Sequence, residues 1–238
     1  MRYLKSSIPE ILKVTFGIIM VFVSVISNAQ QQQQQQHVIS FGIHADPVIS
    51  WFSTDITQVK NNGARPGFNF GLTFNNYFTR NYSFSTGISL LNAGGRLVSS
   101  DTTVLKFTNS SVKVLPGNQV IYKLQYLAIP IGLKLQTNQI GYVTFFSDLG
   151  FVPKIAISRR ADIPSLNISG ENALNELRMI NLSYHITGGI EYSLGGSTAL
   201  SFGIDFDNNF LDITNDTGKK LKDIVSQKIL SFRFGINF

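Results

Sequence analysis

Residues 229–238 alternate between apolar and polar side chains along their whole length. Successive side chains of an extended strand point to opposite faces, so every second residue of this stretch lies on the same face. The apolar face consists of Leu230, Phe232, Phe234, Ile236 and Phe238. The other face carries Ser231, Arg233, Gly235 and Asn237. Because a large apolar face suits lipid and a small polar face suits a lumen, the pattern predicts a transmembrane strand whose apolar face contacts the membrane.

Seven further segments repeat this alternation, and the connections between them alternate in length. The segments cover about residues 38–52, 66–78, 82–97, 119–136, 140–158, 179–194 and 198–210. Short connections at 79–81, 137–139 and 195–197 alternate with long polar ones at 53–65, 98–118, 159–178 and 211–226. Short periplasmic turns and long extracellular loops are typical of bacterial outer-membrane barrels. We therefore predict an all-β fold, an eight-stranded antiparallel up-and-down transmembrane β-barrel, with both termini periplasmic and side chains filling the interior.

The composition favours a membrane barrel over a water-soluble one. Charged residues make up 14% of the chain, compared with about 25% in ordinary soluble domains. A lipocalin-like barrel or a β-sandwich also alternates, but its polar face meets water. Here the polar face is rich in Gly and Ser and poor in Lys and Glu, which suits a narrow lumen. The absence of cysteine excludes disulfides, thiolate metal sites and a cysteine nucleophile.

The start of the chain carries targeting signals. Residues 1–29 predict a cleaved signal peptide, because a basic beginning precedes an apolar run at 14–26 and a small-residue cleavage site that ends at Ala29. The glutamine-rich stretch 30–37 is of low complexity and predicts a disordered lead-in. The barrel is then expected to occupy residues 38–238, integral to a bacterial outer membrane.

Several charged residues fall on the predicted inner face. They are Lys134, Asp148, Glu191, Asp205 and Arg233. Unpaired charge inside a small barrel is costly, so we expect these groups to form a network that rigidifies the interior. Asp205 and Arg233 lie on neighbouring strands and can pair if the register allows it. The alternative is a narrow channel, in which such charges gate a path for ions or protons.

Ser183 and His185 share one face of a predicted strand, and Glu191 lies further along that strand. A serine, a histidine and an acid are the components of a hydrolase, so the sequence leaves open an outer-membrane enzyme that acts on lipid or lipopolysaccharide. The predicted face looks inward, however, where lipid has no access. The interpretation that we favour is a structural lining without catalytic residues. The three histidines are too dispersed for a zinc site, and no metal or other cofactor is expected.

Two motifs resemble those of a known family. The stretch 125–135, Gln-Tyr-Leu-Ala-Ile-Pro-Ile-Gly-Leu-Lys-Leu, is similar to the "YLxIPxxLK" strand of the PorT-like outer-membrane β-barrel family of the Bacteroidetes. Gly188-Gly189-Ile190-Glu191-Tyr192 is similar to the "GGxEY" strand of that family, and the resemblance continues to Phe238. It implies an outer-membrane location and, for the member that gives the family its name, a role in type IX protein secretion. It implies no catalytic residues.

These observations lead to one expectation of function. We expect a non-enzymatic barrel with a structural or interaction role, for which a place in protein secretion is the candidate. The expected partners are outer-membrane lipid and lipopolysaccharide, the barrel-assembly machinery, and secretion-system or envelope proteins. The basic residues are scattered along the chain without a basic patch, so no nucleic-acid partner is expected.

Overall fold

The computed structural model describes residues 39–108, 110–215 and 224–238. The predicted signal peptide at 1–29 and the lead-in at 30–37 lie outside these ranges. No helix of the described residues is long and apolar enough to cross a membrane.

Thirteen β-strands and one short 3-10 helix form the described part of the chain. In order, they are β1 (Ile39–Thr54), β2 (Val59–Asn61), β3 (Arg65–Tyr77), β4 (Tyr82–Ser99), β5 (Thr103–Lys106), β6 (Ser111–Val114), β7 (Gln119–Ala128), β8 (Ile131–Gln136), β9 (Val143–Ile163), the 3-10 helix (Pro164–Leu166), β10 (Ile168–Asn172), β11 (Ile180–Gly195), β12 (Thr198–Asn209) and β13 (Val225–Asn237). β7 and β8 act as one strand that is interrupted at Pro130, since proline cannot donate a ladder hydrogen bond.

Eight strands, with β7 and β8 counted as one, close into an antiparallel ring in the described residues. The ring runs β1, β3, β4, β7 with β8, β9, β11, β12 and β13, and β13 pairs again with β1. Starting at Ile49 and stepping through paired residues around the ring returns to β1 at Ile39, ten residues earlier. This stagger tilts the strands by about 40° from the barrel axis. The predicted fold, an eight-stranded antiparallel barrel, is therefore confirmed.

Burial alternates along the ring strands as the sequence pattern predicts. Large apolar side chains on alternate positions are exposed on the outer wall, including Phe41, Phe70, Phe84, Leu133, Leu149, Ile186 and Ile204. On β13 and at the residue after it, the outward side chains are Leu230, Phe232, Phe234, Ile236 and Phe238, while Ser231 between them is buried. Aromatic pairs flank this belt at the short-turn end, where Phe78 stacks on Tyr82 and Tyr142 contacts Tyr192. An apolar belt with aromatic borders is the outer surface of a membrane barrel.

The long connections differ from the polar loops that the sequence predicted. They contain the β5–β6 hairpin and β10, and they bring Leu105, Phe107, Leu177 and Ile213 into one buried apolar cluster. The cluster continues down the inner face of the barrel to Phe52. The physical reason is that β4, β7 and β9 extend beyond the lipid-facing belt, and their inward apolar side chains need cover from the connections. The barrel is thus closed by an apolar plug at its long-connection end.

Candidate functional site

The polar interior begins near the short turns with an ion pair between Lys134 and Glu191. The ammonium of Lys134 on β8 lies 2.5 Å from Glu191 Oε1 on β11. Gln136 Nε2 donates to Glu191 Oε2 at 2.5 Å, and Asn237 Nδ2 on β13 donates to Oε1 at 2.7 Å. Since β8, β11 and β13 are not neighbours in the ring, these contacts cross the lumen. Side chains therefore fill the barrel at this level.

A histidine occupies the middle of the interior between two carboxylates. His185 Nδ1 lies 3.4 Å from Asp205 Oδ1, and His185 Nε2 lies 3.9 Å from Asp148 Oδ1. Thr187 Oγ1 donates to Asp205 Oδ1 at 2.6 Å. β9, β11 and β12 are consecutive in the ring, so all four side chains belong to one patch of the inner wall.

Arg233 forms its ion pair with Asp46, which is not among the predicted interior charges. Arg233 Nε lies 3.9 Å from Asp46 Oδ2, to which Asn69 Nδ2 also donates at 3.0 Å. His44 Nδ1 lies 2.7 Å from the same oxygen. The β12–β13 register sets Arg233 opposite Gly203 and Asp205 opposite Ser231. Arg233 and Asp205 are therefore not direct cross-strand partners.

A second buried lysine lies nearer the long connections. Lys154 Nζ on β9 lies 2.7 Å from Asp207 Oδ1, and Ser183 Oγ donates to Asp207 Oδ2 at 2.8 Å. Lys154, Asp207 and Ser183 are all buried. Together with the groups above, the polar layers between Glu191 and Asp207 contain five carboxylates, two lysines, one arginine and two histidines.

Asp46, Lys154 and Asp207 lie within the predicted strands 38–52, 140–158 and 198–210 but are not among the interior charges predicted from the sequence. Asp46 is two residues after His44, Lys154 is three alternate positions after Asp148, and Asp207 is two residues after Asp205. Continuing the period-two count along each strand would have placed all three on the inner face.

Small cavities separate these polar groups. One cavity of about 20 Å³ lies beside Lys134, Asp148 and Glu191, and another of about 40 Å³ lies beside Lys154, Asp205 and Asp207. A cavity needs about 10–15 Å³ to hold one water molecule. His44 and Arg233 border both cavities and so stand between them. Each of these spaces holds water molecules at most.

Ser183 and His185 do not form a nucleophile–base pair in this structure. The Ser183 hydroxyl donates to Asp207, whereas His185 lies beside Asp148, Asp205 and Thr187. Both side chains are buried on the inner face of β11. No group of three or more His, Asp or Glu side chains in the described ranges is arranged to hold a metal ion.

The two sequence motifs meet in the interior. The lysine of the first motif, Lys134, pairs with the glutamate of the second, Glu191. Gly189 of the second motif lies so near β12 that an added Cβ would come within 2.8 Å of Gly203 Cα. These motif residues therefore hold strands together from inside the barrel.

Comparison with known proteins gives a family match over most of the chain. Residues 28–215 match the model of the outer membrane protein beta-barrel domain family. Similar solved structures include Neisserial surface protein A (13% identity, 83% of this chain and 95% of that one, TM-score 0.46) and OprG from Pseudomonas aeruginosa (12%, 87% and 99%, 0.46). Ail of Yersinia pestis, solved with the heparin analogue sucrose octasulfate, is also similar (13%, 84% and 99%, 0.38). No curated protein sequence matches the chain.

Proposed function

The chain belongs to the outer membrane protein beta-barrel domain family, and we propose that it is a non-enzymatic, non-conducting barrel with a structural or interaction role. The observation that supports this proposal is that side chains fill the interior at both ends of the barrel. A polar layer around Lys134 and Glu191 fills one end, and the apolar cluster around Phe52 and Phe107 fills the other. The burial of Ser183 and His185 inside the barrel disfavours a lipid-acting enzyme, since neither side chain reaches the outer wall.

We infer further that the protein has a PorT-like role as a membrane component of protein secretion. The resemblance at 125–135 and 188–192 supports this. The folded extension formed by the long connections offers a rigid surface for partner proteins, because its own core holds it in place. Affinity isolation after crosslinking in cells tests this role. Recovery of secretion-system proteins with the intact chain supports it, and recovery of the assembly machinery alone contradicts it.

Planar-bilayer recording is expected to show no unitary conductance from the purified protein. The double variant Lys134→Ala/Glu191→Ala should also remain silent, because the apolar plug at the long-connection end seals the lumen by itself. An open porin in the same bilayers serves as the positive control. Reproducible single-channel steps from the wild-type protein would establish the narrow-channel alternative.

Cysteine labelling tests the proposed orientation, in which long connections are extracellular and both termini periplasmic. The chain has no cysteine, so single introduced thiols give no background. Leu115 lies exposed at the long-connection end, and Arg80 lies exposed in a short turn. A membrane-impermeant maleimide should label Leu115→Cys in intact cells and Arg80→Cys only after the outer membrane is permeabilised. The reverse pattern would overturn the orientation.

A further inference from the structure

Two basic side chains lie directly opposite each other on the outer wall, above the lipid-facing belt. On β7, Tyr122 and Leu124 are buried, so Lys123 between them points outward. The β7–β9 register pairs Lys123 with Arg160, which is exposed. A one-residue bulge at Ile157 sets this pairing, because it shifts every later side chain of β9 to the opposite face. Like charges directly opposite each other in a sheet are destabilising.

Two more arginines join this pair from β3 and β4. Arg96 on β4 is paired with Ile121 on β7, and Ile121 is paired in turn with Asp162 on β9. The buried Arg96 Nε has no hydrogen-bond partner among the described residues. Arg65 Nη1 donates to Ala93 O at 2.9 Å, which holds its guanidinium over β4. We call Arg65, Arg96, Lys123 and Arg160, with Asp162, the basic wall. Its members are distant in sequence, which is why the chain shows no basic run.

Asp162 is the carboxylate of the basic wall. It accepts from Lys123 and from the backbone N–H of Gly170 at 2.8 Å. Burial alone would raise the pKa of Asp162, but the hydrogen bonds from Lys123 and Gly170, with the positive charges of Lys123 and Arg65, lower it overall. The basic wall therefore contains one carboxylate and four bases. Arg160 has no carboxylate partner in the part of the chain that the structure describes.

The position of the basic wall along the barrel axis indicates which layer of the membrane it faces. Leu127 on β7 and Ile155 on β9 are paired and point outward, so they belong to the lipid-facing belt. Lys123 is four residues further along β7, which is about 13 Å along the strand and about 10 Å along the barrel axis. The wall faces sideways, toward the layer of lipid headgroups. At that depth the available anions are the phosphates of the outer-leaflet lipid.

We propose that the basic wall binds the phosphate groups of a phosphorylated glycolipid of the outer leaflet, lipid A. Arginine guanidinium groups bind phosphate through paired, charge-assisted hydrogen bonds, and a phosphate between Lys123 and Arg160 relieves the repulsion between them. The exposed Ile155 and Ile157 lie below these bases and face the acyl chains. This inference rests on the proposed orientation, which places the long connections outside.

The test compares lipid binding by purified full-length variants in detergent, measured by native mass spectrometry and by titration. The probes are bisphosphorylated lipid A, dephosphorylated lipid A and inorganic phosphate. The variants are Arg160→Ser and Lys123→Ser/Arg160→Ser. The matched control is Lys228→Ser, because Lys228 also points outward near the belt edge but lies beside Trp51 and Asn208 instead of other bases.

We expect the double variant to bind bisphosphorylated lipid A at least tenfold more weakly, and Lys228→Ser to stay within about twofold of wild type. Dephosphorylated lipid A should bind wild type as weakly as bisphosphorylated lipid A binds the double variant. Equal binding by all variants, or equal binding of both lipids, overturns the proposal. So does saturation by inorganic phosphate at the same concentration as lipid A. Because this assay uses purified protein, it fails or succeeds independently of the cysteine-labelling and conductance results.

Discussion

Phe234→Arg should destabilise the membrane-inserted barrel by about 2–4 kcal/mol and greatly reduce the inserted fraction, because arginine on the lipid face is most costly near the bilayer midplane. Phe234 lies near the middle of the outward row of β13, half exposed and in edge contact with Phe202. The measurement is urea-dependent folding into lipid vesicles, followed by heat-modifiable migration on gels.

The same row of β13 supplies a matched control. Phe238 also points outward, but it lies at the short-turn end of the belt, where its backbone pairs with Phe41. Arginine near an interface costs only about 0–1 kcal/mol, so Phe238→Arg should fold almost as wild type does. Equal losses for Phe234→Arg and Phe238→Arg would show that depth does not determine the cost, and the assigned belt would then be wrong.

The sequence predicted the ring strands because a single rule governs them. Each position on a strand of a thin barrel faces either lipid or lumen, so alternation persists for the length of the strand. The predicted eighth strand began at 229, whereas β13 begins at Val225. The early part of β13 carries Ser226 and Lys228 on its outer face, which is no longer apolar there. The apolar–polar alternation therefore does not mark the end of a strand that extends beyond the lipid.

Partner choice could not be predicted in the same way. Arg233 pairs with Asp46 because of the β1–β13 register, which depends on the stagger of the entire ring. The pairing of Lys123 with Arg160 depends on the bulge at Ile157, and a one-residue shift reverses the face of every later residue. Neither the stagger nor the bulge has a distinct signature in composition or periodicity.

The apolar plug was missed because its members are isolated in sequence. Leu105 and Phe107 alternate with Lys106 over only one repeat, and Leu177 stands between Glu176 and Arg178, so neither segment is long enough to indicate a buried face. They become a core only when the connections fold over the inward side chains of β4, β7 and β9. The fold class was therefore accessible from pattern alone, whereas the closure that supports the proposed function was not.

Lys154→Met should be the most destabilising change within the polar interior. It would leave Asp207 as a buried carboxylate with Ser183 as its donor, and removal of one partner from a buried ion pair costs about 3–5 kcal/mol. Lys134→Met should cost less, because Glu191 keeps the donors Gln136 and Asn237. The free energy of unfolding in urea, measured in vesicles, gives both values.

The double variant Lys154→Met/Asp207→Leu distinguishes the loss of the attraction between Lys154 and Asp207 from the cost of leaving Asp207 as an unpaired buried charge. Replacing both members of a buried pair by apolar side chains is often neutral or stabilising, so the double variant should recover most of the stability that Lys154→Met loses. Failure to recover would mean that Lys154 stabilises the barrel mainly through its other neighbours, such as the Tyr126 ring 6.0 Å from its ammonium. Recovery would show that the interior charges are retained because each compensates another, and that lining the lumen with charge is not itself the source of stability.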